Sequence, residues 1–387
     1  MRKKILTVAL TAFLCICFVS YAMALPSECD NDAFSLPCPS LSAKSAVLID
    51  ASSRSVLCEK NARERMGMAS TTKIMTALVA AEQGELDKEV SVSPLAVGVE
   101  GSSIYLYAGE RLTLRDLLCA MLLESANDAA TAIAIEIGGS VEGFCDMMNK
   151  KAAELGLCDS HFTNPHGLYD DAHYTTAYDL AVITAAALEN GTVREIVATK
   201  KMTLTPIEGN TRVLYNHNKM LSRYEGAIGV KTGFTKKTGR CLVSAAERDG
   251  LRLIAVTLNA SDDWNDHTRL LDVGFEGFCR VQLVKKGDVC HMQPIIGGSS
   301  DEYLPLLACE TLYATLPKST DVQRLTQVVE TYNRYAFAPT KEGCISGKAL
   351  YYLDGRLVAS VPLAASRTIE KSSENKSFFE HIKDIFT

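Results

Sequence analysis

Met68-Ala69-Ser70-Thr71-Thr72-Lys73-Ile74-Met75-Thr76 decides how the rest of this sequence is read. Apolar positions Ile74, Leu78 and Val79 recur behind it at helical spacing, so a helix is expected to start near Ser70. On a helix, positions i and i+3 share a face, which sets the Lys73 amine beside the Ser70 hydroxyl. A hydroxyl is a weak nucleophile until an adjacent base takes its proton. A lysine can be that base only where burial or a neighbouring cation lowers its pKa. At a helix start, Ser70 also meets the positive end of the dipole, which favours an anion forming there. Ser-x-x-Lys alone is a weak signal, because Ser373-Glu374-Asn375-Lys376 matches it in a charged, polar stretch.

Two further motifs lie downstream. Ser125-Ala126-Asn127 interrupts an apolar helical pattern between a helix at about 114–123 and another at 128–137. It reads either as an ordinary helix–helix turn or as a loop presenting a hydroxyl and an amide to a cleft. Lys231-Thr232-Gly233 follows the apolar strand Ala227-Ile228-Gly229-Val230. On a strand edge its lysine and threonine can meet a carboxylate, and its glycine lets a ligand backbone approach. Lys237-Thr238-Gly239 repeats the motif inside the polar turn Lys236–Arg240, where hairpin chemistry explains it better. From Ser70 to Ser125 is 55 residues (125 − 70), and from Ser125 to Lys231 is 106 (231 − 125).

Around these motifs the pattern implies an α+β fold. Strands at 46–50 and 55–58 flank the turn Ala51-Ser52-Ser53-Arg54. Helices follow at about 114–123, opened by the capping pattern Thr113–Asp116, at 140–155, closed by Gly156, and at 176–188, where Thr176–Asp179 reads as a capping box. Strands are expected at 201–205, 228–232, 241–246 and 251–258, with a last helix at about 263–275. The result is a mostly antiparallel sheet with a helical block inserted between its first strands and the rest, over residues 44–277. Short alternating segments punctuated by turns make residues 279–365 a separate, small β-rich domain. Residues 25–43 read as a leader and 366–376 as a charged linker.

Composition narrows the partners. A net charge of −6 without a basic block beyond Arg2-Lys3-Lys4 argues against nucleic acid. Those charges, the apolar run Ile5–Val19 and Ala22-Met23-Ala24 make residues 1–24 an export signal. Residues 377–387 place Phe378, Phe379, Ile382, Ile385 and Phe386 on one helical face, which suits a membrane-associating tail. Removal of Cys15 and Cys17 with the signal leaves eleven of thirteen cysteines. They form no CxxC pair; Cys29 and Cys38 flank a polar stretch across which they could pair. His161, His166 and His173 lack the spacing of a helical ligand pair, so no metal or other cofactor is expected.

Taken together, the three motifs resemble the penicillin-binding protein and serine β-lactamase superfamily. Within it, Met68–Thr76, Asn164-Pro165-His166-Gly167-Leu168, Tyr178-Asp179-Leu180-Ala181 and Gly229–Thr235 resemble the low-molecular-mass D-alanyl-D-alanine carboxypeptidases, over about residues 40–277. The resemblance implies a β-lactamase/transpeptidase-like domain and two-step acyl transfer on peptidoglycan pentapeptide stems at the outer face of a bacterial membrane or in the wall, with β-lactams as covalent inhibitors. It implies Ser70 as nucleophile, Lys73 as base, Ser125 as proton relay and Asn127 as a positioning amide. Lys231 and Thr232 would bind the terminal carboxylate. Gly233 would admit the substrate, and the Phe234 and Ser70 N–H groups would hold the oxyanion. A serine β-lactamase is the nearest rival. Of the glutamates between Asn127 and Asn190, none has the asparagine four residues on that one lactamase group uses. A zinc peptidase or a penicillin-binding scaffold with little turnover are the remaining alternatives.

Overall fold

The computed structural model describes residues 34–298 and 302–372. The expected export signal, Cys29, the second Ser-x-x-Lys and the tail at 377–387 lie outside them.

β1 (Ser45–Asp50) and β2 (Val56–Lys60) form the opening hairpin. A 3-10 turn (Ala69–Thr72) leads into α1 (Lys73–Gln83). The ribbon of β3 (Glu89–Ser91) and β4 (Arg111–Thr113) precedes α2 (Leu114–Leu123), α3 (Asn127–Gly138) and α4 (Val141–Glu154). A long loop then reaches α5 (Ala177–Glu189) and α6 (Gly191–Ala198). A second ribbon, β5 (Lys201–Leu204) with β6 (Arg212–Tyr215), and the short α7 (Met220–Arg223) complete the insertion. The chain then returns to the sheet as β7 (Ala227–Thr235), β8 (Gly239–Arg248) and β9 (Leu251–Ala260), and ends the domain with α8 (Asp263–Gly277).

The sheet runs β2-β1-β9-β8-β7, all antiparallel. Its strands are apolar almost throughout because both faces are covered. Val47, Ile49, Val243, Ile254 and Val256 face the helical insertion. Ala46, Leu48, Leu242, Leu253 and Ala255, on the alternate positions, face α8 through Leu270 and Leu271. Period-2 alternation therefore sorts residues between two cores instead of between core and water. Truncating a fully buried side chain here, such as Leu253→Ala, would cost about 2–5 kcal/mol.

The structure differs from the expected elements at five places. Ser70 sits in the 3-10 turn and the α-helix starts at Lys73. Ala69 enters the turn with φ +49°, and the Thr71 and Thr72 hydroxyls donate to the Met68 and Ala69 carbonyls, holding the backbone in a tighter turn. Asn127 belongs to α3 rather than to a loop; the break is confined to Glu124–Ala126, with Ser125 at φ +62°. At α5, Thr176 caps the Asp179 N–H, but the Asp179 carboxylate accepts from Ser160, so the box is half made. Lys201–Leu204 pairs only with Arg212–Tyr215, outside the main sheet.

The fifth difference concerns both flanking segments. Residues 34–43, expected as a leader, are docked: Leu36 N–H donates to Leu57 O, Leu41 and Ala43 are buried, and Ser42 and Ala43 donate to the Asp266 carboxylate. Residues 366–372, expected as linker, bridge back to the β-rich domain through Thr340↔Ile369 and Gly298↔Lys371, with Ile369 in its core.

That second domain comprises β10 (Phe278–Val284), β11 (Val289–Ile296), β12 (Tyr303–Ala308), β13 (Leu312–Pro317), β14 (Leu325–Thr331), β15 (Ala336–Phe337), β16 (Ile345–Leu353) and β17 (Arg356–Ala365). β10 pairs with β13, and the others form a six-stranded sheet, β14-β16-β17-β12-β11-β15. It meets the first domain where Thr315 donates to Asp50 and Phe34 packs against both cores.

Candidate active site

Lys73 begins α1 pointing inward and is completely buried. Its Nζ lies 2.6 Å from Asn127 Oδ1, 2.7 Å from the His166 carbonyl and 3.0 Å from Ser70 Oγ. Burial, and secondarily the charge of Lys231, push the amine well below the ordinary lysine range, against a smaller pull from Asp128. A neutral amine has two hydrogens and one lone pair. The two carbonyl oxygens take the hydrogens, so the lone pair faces the Ser70 hydroxyl and can accept its proton. The ammonium then formed would find an acceptor for each of its three hydrogens.

The other groups of this polar cluster are fixed from several directions. Asn127 Nδ2 donates to Glu100 O at 2.5 Å and its backbone N–H to Ser102 O, so the amide can only turn its oxygen toward Lys73. The neighbouring Asp128 carboxylate is buried and accepts from Ser103 Oγ and from the Ile104 and Leu106 N–H groups, folding the 100–106 loop over the helix start. On the opposite side, Asn164 Oδ1 accepts from the His166 and Gly167 N–H groups and shapes the loop that offers the His166 carbonyl. A Cβ on Gly167 would stand 1.9 Å from Ala69 O, so only glycine lets this loop lie against the Ala69–Thr72 turn. His173 accepts from Thr163 N–H at Nδ1, which leaves Nε2–H to donate to Thr72 Oγ1. Burial lowers His173 to about 4 and His166 to about 3, keeping both rings neutral beside Lys73.

β7 closes the far wall. A Cβ on Gly233 would come within 2.9 Å of Ser70 N and 3.1 Å of Thr71 N, so the strand passes directly over the Ser70 backbone. Lys231 is buried behind it, with Nζ on Thr232 O at 3.0 Å, and burial holds its ammonium down to about 7. The repeated motif is a turn: Thr235 and Thr238 hydroxyls bond one another across the β7–β8 connection, and Lys237 lies over the Tyr169 ring.

These walls enclose an open cleft of about 290 Å³. Of the residues expected from sequence, Ser70, Ser125, Thr232, Gly233 and Phe234 line it. Lys73, Asn127 and Lys231 lie buried among them. Sequence reasoning missed Ser102, the His166 carbonyl and Arg240. Arg240 stands opposite Phe234 in the β7–β8 register, and its guanidinium is held 3.1 Å from the buried Asp263 carboxylate while nearly half of it stays exposed to the cleft. A strand-pairing diagram of the hairpin would have found it. His217, paired with Glu124, and Trp264 complete the rim.

Similarity to known proteins agrees with this geometry. Residues 32–262 match the family described as D-alanyl-D-alanine carboxypeptidase, and residues 278–371 match the penicillin-binding protein 5 C-terminal domain. The chain is 32% identical to D-alanyl-D-alanine carboxypeptidase DacF of Bacillus subtilis over 85% of its own length and 86% of that protein's. It is 28% identical to DacA of Escherichia coli over 98% of its length and 96% of DacA's. Among solved structures, penicillin-binding protein 5 from Haemophilus influenzae superposes with a TM-score of 0.75 at 28% identity, covering 87% of this chain and all of that one. A hydroxyl held against a buried, depressed lysine, two domains in this order and relatives matched along nearly their whole length lead to one conclusion: the chain belongs to the D-alanyl-D-alanine carboxypeptidase family, within the low-molecular-mass penicillin-binding proteins.

Proposed function

We propose that the protein removes the terminal D-alanine from peptidoglycan stem peptides through an ester on Ser70. The observation that carries this is the Lys73 amine, buried, depressed and 3.0 Å from Ser70 Oγ. Lys73 takes the Ser70 proton as Oγ attacks the carbonyl of the penultimate residue. The Ser70 and Phe234 N–H groups hold the resulting oxyanion, a reading supported by the close passage of Gly233, the residue before Phe234, over Ser70 N. Lys231, with a pKa of about 7, can carry a proton at neutral pH and pass it through Ser125 to the departing amine. Lys231 and Thr232 receive the free carboxylate of the leaving residue. Lys73 passes the proton it took from Ser70 through Ser125 to the now neutral Lys231, then serves again as base as water attacks the ester, and finally returns that proton to Ser70 Oγ. A β-lactam enters the same path and stops at the ester.

The proposed place of action is the outer face of the membrane or the wall. Residues 1–24 are read as the export signal and 377–387 as an interfacial tail. Deleting 377–387 should lower membrane association in fractionated cells and leave activity on a soluble peptide intact. Loss of that activity would make the tail part of the fold.

The decisive measurement is D-alanine release from a synthetic peptide ending in D-alanyl-D-alanine, alongside labelling by a fluorescent penicillin. Ser70→Ala should abolish both. If the variant still forms the covalent adduct at the wild-type rate, the nucleophile is misassigned and Ser125 takes its place.

A further inference from the structure

Cys38 and Cys58 lie 20 positions apart, and their sulfurs are 3.0 Å from one another. Cys58 is on β2, the edge strand of the catalytic sheet, and is fully buried; Cys38 is half-buried on the segment laid along that edge. Two unbonded sulfurs in van der Waals contact would stand farther apart, so closing a bond of about 2.05 Å needs about 1 Å of approach. Among the described residues, no other two cysteine sulfurs are in contact. Cys29, the partner considered from sequence, lies outside the described residues.

The surroundings hold the pair in register. Leu36 N–H donates to Leu57 O at 2.7 Å, next to Cys58. Lys60 Nζ donates to the carbonyls of Leu41 and Ala43, at 2.9 and 2.7 Å, tying down the other side of Cys38. Phe34, at the start of this segment, packs against the cores of both domains, and Leu36 fills the space against Gly277 at the domain junction. Whatever fixes residues 34–38 therefore also fixes a wedge between the domains.

We infer that Cys38 and Cys58 are a disulfide site, closed by thiol–disulfide exchange, that staples residues 34–43 to β2 and secures the wedge. The oxidant is a disulfide of the glutathione or oxidoreductase class, which an exported chain meets. Cys38 is the entry point: it is the more accessible sulfur, and the hydrogen bond from Cys58 lowers its pKa while the Cys58 thiol is pushed up. The Cys38 thiolate attacks the external disulfide, forming a mixed disulfide and releasing one thiolate. Cys58 then gives up its proton and attacks the Cys38 sulfur, and the second external thiolate leaves. Two protein thiols are oxidised to one disulfide while one external disulfide is reduced to two thiols.

The purified full chain decides this independently of export and of catalysis. It is equilibrated with oxidised glutathione, its remaining thiols are alkylated, and it is digested without reduction. A peptide pair joined through Cys38 and Cys58 is expected, disappearing on reduction, with the thermal midpoint raised by about 5–10 °C over the reduced chain. Cys38→Ser should lose both the joined peptides and the rise. Cys58→Ser should stop at the Cys38–glutathione mixed disulfide. Alkylation of both cysteines in the oxidised wild type, or Cys38 joined to any other cysteine, overturns the assignment.

Discussion

Replacing Lys231 with methionine should inactivate the protein and make it more stable. Burial lowers the Lys231 ammonium to about 7 from an ordinary value of 10.5, with desolvation as the cause. At about 1.4 kcal/mol per pKa unit, holding that charge inside the fold costs about 4–5 kcal/mol at and below neutral pH. Methionine fills nearly the same volume without a charge. It loses the bond to Thr232 O, worth about 1 kcal/mol, so a net gain of about 3 kcal/mol remains. For a domain of this size that corresponds to a rise in Tm of about 6–12 °C. The pH dependence supplies an internal control. Between about 7 and 10.5 the unfolded wild type binds a proton at this lysine that the folded one does not, so wild-type stability rises with pH across that window. The variant has no such group, and its advantage should be fully present near pH 7 and shrink as pH approaches 10.5. Urea unfolding followed by the single tryptophan, Trp264 on the cleft rim, reads this directly. A variant no more stable than wild type at pH 7, or an advantage that does not narrow with pH, would refute the reasoning.

Three further outcomes are expected. Arg240→Ala should raise KM for a dipeptide-terminated substrate about 10-fold, since its side chain lines the cleft, and should also lower Tm, since the buried Asp263 carboxylate loses its cation. Lys237→Ala should match wild type in kcat/KM, because that side chain lies over Tyr169 and not in the cleft; a loss equal to that of Lys231→Ala would overturn the choice between the two motif copies. Acid should destabilise the fold through His173, whose folded value of about 4 lies below its unfolded 6.5. The His173 share, about 3 kcal/mol, is present above pH 6.5 and lost as pH falls toward 4, and His173→Gln should make that limb of a urea-midpoint titration less steep, the remainder coming from His166 and His267, which burial lowers to about 3.

What could be read beforehand follows from which groups leave a trace in a one-dimensional pattern. Lys231 could be told from Lys237 because β7 feeds apolar residues to the core before its lysine, whereas residues 236–238 make a polar turn. Thr113 and Asp116 announced α2 because a capping box is local chemistry, and both halves of it are present. Asn127 was recognisable as a polar break, but not as the first residue of α3, because the left-handed Ser125 before it takes a conformation its side chain does not advertise. The His166 carbonyl was invisible because any residue has one; only the turn made by Asn164 aims it. Arg240 depends on strand register, and the role of Asp128 depends on the 100–106 loop, whose Ser103 hydroxyl and Leu106 N–H donate to its carboxylate from more than twenty positions away. The segment 34–43 looked unstructured because a few residues, Phe34, Leu36 and Leu41, carry its burial within a polar, proline-rich context.

The pairing of β1 with β9 also bears on how the molecule comes into being. Ser45 faces Leu258 across that ladder, 213 positions away (258 − 45), and β1 lies between β2 and β9 in the sheet. Contacts of such high order form late, since the intervening chain must first be gathered. On a ribosome adding about 5–20 residues per second, the first hairpin waits about 10–40 s before the strand that completes its sheet exists. Until then the apolar residues of β1 have no partner along their open edge, and the nascent chain offers chaperones an extended, bindable segment. A chain arranged in this way stays threadable during synthesis and locks only when its last catalytic strand arrives.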